Sequence, residues 1–337
     1  MAQTDLTQGS IFGNLSRFSL PYMLSYFLQN LYGLADLFII GQYCDVASTT
    51  AVSNGAQIMH MFTVIIIGLA MGTTVRIARA VGAGDKEIAS RTIGNTFTLS
   101  ALTAIAATFI LLLANRSIVS MIDTPPEAVK GTIDYLRICF IGIPFIIAYN
   151  IIASIFRGLG DSKSPMYFVI VACVANIALD YIFIGHFGLG PSGAALGTTL
   201  SQMISVIIAA IVIRKKSLLN IPGQDLWPER CTMGGILKIG VPVALQDGFI
   251  QIAFIAITAI ANGRGLNDAA AVGIVEKFIG LLFIVPSAML AAVSAIAAQN
   301  IGAKKPERAR KTMEYGICNS DLRRLRHHRS RDSPIHS

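Results

Sequence analysis

Charge is what this sequence has least of: 14% of its 337 residues are Asp, Glu, Lys or Arg, against about a quarter in a typical soluble domain. So few ions cannot furnish a solvated globular surface. The five cysteines, Cys44, Cys139, Cys173, Cys231 and Cys318, are scattered, without a C-x-x-C pair or a histidine at ligand spacing. That excludes a zinc ribbon and a disulfide framework and leaves them as packing residues. No phosphate-binding loop, nucleophile elbow or H-E-x-x-H occurs, so the sequence encodes neither nucleotide hydrolysis nor a familiar nucleophile, and it does not read as an enzyme. Any work the chain performs must draw on an ion gradient or a partner, and it needs no cofactor beyond a coupling ion.

What replaces charge is apolar length. Hydrophobic residues make up 53% of the chain and the mean hydropathy is +0.62. Eight runs, near 18–43, 51–75, 92–114, 131–156, 164–186, 192–213, 236–261 and 269–301, each reach the roughly 20 residues that a helix needs to cross a bilayer. They lack the alternating pattern of an outer-membrane strand, and their glycine and proline suit helices packed on helices. The expected class is an all-α integral membrane protein whose principal partner is the lipid bilayer. The first run is long, carries Asp36 and lacks a small-residue cleavage site, so it should remain as the first span.

The few cations are distributed unevenly. One side collects Arg17, Arg76, Arg79, Lys86, Arg91, Arg157, Lys163, Arg214, Lys215, Lys216, Arg230, Lys238, Lys304, Lys305, Arg308, Arg310 and Lys311; the other holds little beyond Arg116, Lys130 and Arg264. Basic loops stay in the cytoplasm, which places the N-terminus on the cytoplasmic side of the cell membrane. The net charge of +8 thereby reports topology and requires no nucleic acid.

Against that background, Asn176 and Asp180 sit in the otherwise apolar "VANIALDYIFIG". Four residues apart on a helix, they share one face and can converge on a single site. A carboxylate in lipid is expensive and is a functional candidate by default. Protonation would relieve the cost; Na⁺ would need further oxygens, available from Asn150, Asn176 or Thr198. Asp36 in the first run is the second buried acid. Asp247 in the seventh run and Glu276 near the outer, N-terminal end of the eighth are candidates for a second cation site, with Lys277 beside Glu276 able to reach the headgroups. Asp134 and Arg137 read as an interfacial ion pair.

The chain also repeats itself. "ARAVGAGDKEIASR" at 78–91 aligns with "AAQNIGAKKPERARK" at 297–311 at an offset of 220, pairing Gly82 with Gly302 and Glu87 with Glu307. An even number of intervening helices makes the copies parallel. The division expected is a six-helix lobe at 1–213, a cytoplasmic linker at 214–231, an incomplete second lobe at 232–317 with helices 7 and 8, and a basic tail at 318–337. The tail, "NSDLRRLRHHRSRDSPIHS", stands where a third apolar helix would follow; it reads as a frameshift or truncation, or as a polybasic segment held by anionic lipid.

Pro21, Tyr32 and Asp36, Asn150, Asn176 and Asp180, Thr198 and the loop "FRGLGDSKSP" together resemble the multidrug and toxic compound extrusion transporters, especially the DNA-damage-inducible and archaeal-type branch, over about residues 10–317. The resemblance implies a monomer with two six-helix lobes in a V, the second incomplete here. It implies antiport of small organic cations against Na⁺ or H⁺, with Tyr32, Asp36, Asn150, Asn176, Asp180 and Thr198 coupling the ion, Na⁺ if used lying at Asp36 and Asp180, and Pro21 gating. A lipid-linked oligosaccharide flippase of the same superfamily, or an inactive truncated product, are the alternatives.

Overall fold

The computed structural model describes residues 5–122, 124–215, 222–264 and 266–320. They form helices α1 (Ile11–Tyr43), α2 (Val46–Gly82), α3 (Lys86–Met121), α4 (Pro126–Gly158), α5 (Lys163–Asp180), α6 (Gly190–Lys215), α7 (Arg230–Arg264), α8 (Leu266–Gly302) and α9 (Pro306–Ser320), with a π-helical turn at Tyr181–His186 and a 3₁₀ turn at Gly223–Leu226. Eight of them are long and apolar enough to cross a membrane, so the chain is a multi-pass helical membrane protein. The last, α9, is polar and goes beyond the two helices anticipated for the second lobe. Residues 321–337, with most of the basic tail, lie outside the described residues.

Short polar signals set the helix ends. Ser10, Asp45 and Asp85 cap α1, α2 and α3, each accepting from a backbone N–H three residues on, at 3.3, 2.9 and 2.9 Å, which satisfies donors that a helix start leaves open. Pro126 opens α4, where its missing N–H costs nothing. Asp161 accepts from the amides of Lys163 and Ser164 at the head of α5. The neighbouring turn needs Gly160 at φ +88°, a left-handed conformation that a Cβ disfavours.

The repeat is visible in backbone geometry. After α2, the amides of Ala83, Gly84, Asp85 and Ala89 donate to Arg79, Val81, Ala80 and Asp85; after α8, those of Ala303, Lys304, Lys305 and Ala309 donate to Gln299, Ile301, Asn300 and Lys305. Every pair is separated by 220 positions, and the left-handed residue, Gly84 at φ +71°, is matched by Lys304 at φ +58°. The two copies also dock on each other here. A Cβ on Gly82 would overlap the Gln299 carbonyl, and a Cβ on Gly302 would overlap the Arg79 carbonyl, so the contact is reciprocal about the repeat axis.

Packing is dense within the first six helices, where α2 lies against α4, α4 against α6 and α5 against α6, around Leu136, Phe140, Ile143 and Ile155. The second copy joins through α2 against α7 and α8, and α1 against α8, with Leu15, Phe18 and Tyr22 meeting Ala288, Ala292 and Ile296. The 3₁₀ turn is fastened to α3: Asn95 donates to the Asp225 carbonyl and accepts from the Glu229 amide, Thr98 donates to the Leu226 carbonyl, and Ser90 bonds the Asp225 carboxylate. The expected Asp134–Arg137 pair does not form. Arg137 is exposed and Asp134 partly so, and water solvates two such charges as well as a held surface pair does.

Candidate functional site

The first lobe buries both of its acids together. Asp36 is 6% exposed and Asp180 fully buried. Their carboxyl groups face each other, with Asn176 alongside and Thr198 Oγ1 donating to Asp36 Oδ2 at 3.3 Å. Three features of the sequence make this possible. Asp36 falls on the inward side of α1, Asn176 and Asp180 stack one turn apart on α5, and α6 presents Gly197, whose missing Cβ leaves the space that Asp180 Oδ1 occupies. The π-helical turn starts directly after Asp180, a local widening of the kind often found at functional positions.

Hydrogen-bond accounting defines what the arrangement can hold. Asp36 Oδ1, both Asp180 oxygens, both polar atoms of Asn176 and Gln202 Oε1 are buried without a partner among the described residues. Each such atom costs about 1–3 kcal/mol. Two carboxylates are acceptors only and repel each other when both are charged. A proton shared between them, or a small cation ringed by these oxygens, would relieve both costs. Among the described residues there is no cluster of three His, Cys, Asp or Glu, so a cation here would rely on amide and hydroxyl oxygens as well.

The remaining expected residues are placed as follows. Tyr32, near Asp36, lies against Gln202. Asn150 does not join the carboxylates: it donates to Ile146 O at 2.8 Å and lines a separate cavity nearer the basic face. Pro21 is buried in α1, and its carbonyl accepts from Ser25 Oγ at 2.8 Å. Asp247 on α7 is half-buried and electrostatically coupled to Tyr26 on α1, across the seam between the copies. The side chain of Glu276 lies outside the described residues.

The cavity encloses about 380 Å³ including its open mouth, and its walls include Tyr22, Tyr26, Gln29, Tyr149, Asn150 and Arg157. Sequence reasoning passed over most of these. The signal was there: Tyr22, Ser25, Gln29, Tyr32 and Asp36 recur at spacings of 3, 4, 3 and 4, a polar stripe on an apolar helix. Gln202, Gly197 and the π-helical turn carried no comparable signal, since each matters only through a neighbour on another helix.

Comparison with known proteins places this geometry. The MatE sequence model matches residues 21–182 and 242–320. The chain is 28% identical over 316 residues to the probable multidrug resistance protein YoeA of Bacillus subtilis (strain 168), covering 91% of this chain and 68% of the relative. It is 32% identical over 307 residues to YpnP of the same organism, also a probable multidrug resistance protein, covering 90% and 68%. A crystal structure of a MATE protein in the straight conformation superposes with a TM-score of 0.88 at 27% identity, over 96% of this chain and 73% of that one. An outward-facing multidrug resistance MATE transporter gives 0.84 at 26% identity, over 96% and 73%. With more than half of its residues matched, its helices superposed and its buried carboxylates in one lobe, the chain belongs to the MatE family of multidrug transporters.

Proposed function

We propose that this chain takes part in secondary active efflux, exchanging small organic cations for Na⁺ or H⁺ across the cell membrane, with the N-terminus and the 214–231 linker in the cytoplasm. The observation that carries this reading is the Asp36–Asp180 pair, buried face to face, with the Thr198 hydroxyl donating to Asp36. Such a pair binds a proton or cation on one side of the membrane and can release it only when the surroundings change, which is what an exchanger requires. Asn176 and Thr198 would complete an oxygen shell for Na⁺, and a proton would need neither. Asp247, on the second copy and facing the aromatic stripe of α1, is the anionic partner for an organic cation.

The test uses everted membrane vesicles carrying the protein. Asp36→Asn and Asp180→Asn should each abolish gradient-driven ethidium transport while leaving membrane insertion intact; normal transport in both variants would refute the assignment. Orientation is checked by a cysteine at Gln224, exposed on the linker. It should resist an impermeant thiol reagent in intact cells, and labelling without permeabilisation would invert the topology.

A further inference from the structure

The cavity beside α1 carries a charge opposite to the one an organic cation would seek. Among the described residues that line it, Arg157 is the one charged at neutral pH. Its guanidinium lies 5.3 Å from the centroid of the Tyr22 ring, and this stacking fixes its direction. Among the described residues it forms no hydrogen bond and no ion pair; the ion pairs found are Arg91–Glu87 and Arg310–Glu314, both elsewhere. The acid nearest in sequence, Asp161, is already committed to the amides of Lys163 and Ser164 and to Ser164 Oγ, at 2.9, 3.0 and 2.6 Å.

The other walls reinforce the polarity. The Tyr22 hydroxyl is buried without a hydrogen-bond partner on a residue only 6% exposed, so it has a proton to donate. Ser162 and Asn150, 6% and 4% exposed, add a hydroxyl and an amide. Tyr26 and Tyr149 supply flat apolar surface of the kind that accepts an aromatic ring. Among the described residues no carboxylate lines the space. A guanidinium with five N–H donors and a free phenol, set in an aromatic cleft, match a carboxylate or phosphate attached to an apolar body.

We propose that this cavity is an anion-accepting subsite in which Arg157 and the Tyr22 hydroxyl bind the carboxylate or phosphate of an amphiphile. Binding at this subsite does not rest on the efflux reading.

The test is equilibrium binding to the full chain in phosphatidylcholine nanodiscs, followed by dansyl fluorescence, with no transport step, so its outcome is independent of the Asp36 and Asp180 variants. Dansylglycine carries the carboxylate and dansylamide lacks it. The wild type should bind dansylglycine about 10-fold more tightly than dansylamide, as expected for a charge-assisted contact. Arg157→Gln should remove that preference and leave dansylamide binding unchanged, which also shows that the variant is folded. Tyr22→Phe keeps the ring under Arg157 and should cost dansylglycine about 2- to 5-fold. Unaltered dansylglycine affinity in Arg157→Gln, or equal loss of both probes, would overturn the proposal. In discs containing phosphatidylglycerol, selective weakening of dansylglycine would identify a lipid headgroup phosphate as the occupant, and unchanged binding a soluble amphiphile.

Discussion

Adding one carbon at Gly82 or Gly302 tests how the two copies are held together at the basic face. A Cβ on Gly82 would stand 2.7 Å from the Gln299 carbonyl carbon and 2.9 Å from its Cα; on Gly302 it would stand 2.9 Å from the Arg79 carbonyl carbon and 3.0 Å from the Ala83 nitrogen. These are backbone atoms, which cannot rotate away, so α2 and α8 must separate. Overpacking of this kind costs about 1–3 kcal/mol. Because the contacts are reciprocal at an offset of 220, Gly82→Ala and Gly302→Ala should cost nearly the same amount. Gly33 supplies the opposite sign: among the described residues nothing lies within 4 Å of a Cβ there, so Gly33→Ala should stabilise α1 by up to about 1 kcal/mol.

The readout is local opening. Ala295, fully buried in the seam between α1 and α8, is replaced by cysteine in a background whose native cysteines are alanine, and its labelling by a thiol reagent is timed. When reclosing is fast, the rate follows the open population. A cost of 1–3 kcal/mol on the closed form thus raises it about 5- to 150-fold. Labelling that is unchanged in both variants, or accelerated in only one, would refute the reciprocal contact.

Lys304 holds the left-handed conformation that glycine holds at 84, so Lys304→Gly should raise thermal stability by about 0.5–1 kcal/mol whereas Gly84→Ala lowers it, read from the melting of the purified protein. Asn95→Ala removes the one donated and the one accepted bond by which it fastens the linker to α3, to Asp225 O and from Glu229 N; it should cost about 1–3 kcal/mol and accelerate proteolysis near Asp225. Bonds from Ser48 hold the Asp45 carboxyl below its usual range; the stabilisation is therefore present above the ordinary carboxylate pKa and is lost as pH falls through the depressed one, so Asp45→Asn should flatten the acid limb of a stability–pH profile. Asp36→Asn should stop transport yet leave dansylglycine affinity within about 4-fold of wild type.

Sequence revealed most of the architecture because lipid imposes a severe rule: every backbone group must be satisfied within a helix, so length and apolarity alone mark the spans. It revealed Asp36, Asn176 and Asp180 for the same reason, since an acid stands out where nothing else is charged. The repeat was legible through a loop, where Gly82 and Gly302 keep their identity under a packing constraint. What stayed hidden depends on approach between helices. Gly197 looks like any small residue until Asp180 is placed against it, Asn150 was grouped with the acids although α4 carries it to the cavity, and Arg157 was read as a topological charge because its stacking on Tyr22 requires α1 and α4 side by side.

The two polar centres raise a question of coupling that their separation answers. Tyr22 and Asp36 are fourteen residues apart on α1, about 21 Å at 1.5 Å per residue. Unit charges that far apart interact by about 0.8 kcal/mol at an effective dielectric of 20. Moving an equilibrium from one side to the other takes about 5.5 kcal/mol, so direct attraction or repulsion between a ligand at Arg157 and an ion at Asp36 is too weak by several-fold to drive exchange. The link must be mechanical. The element available is α1 itself, which carries Tyr22, Ser25, Tyr26 and Gln29 on the cavity, Tyr32 between, and Asp36 at the proposed ion site, while it packs against α5 in its own copy and against α8 in the second. A change in how Asp36 meets Asp180 and Thr198 therefore has to be felt as a change in how α1 lies against both the cavity and the second copy.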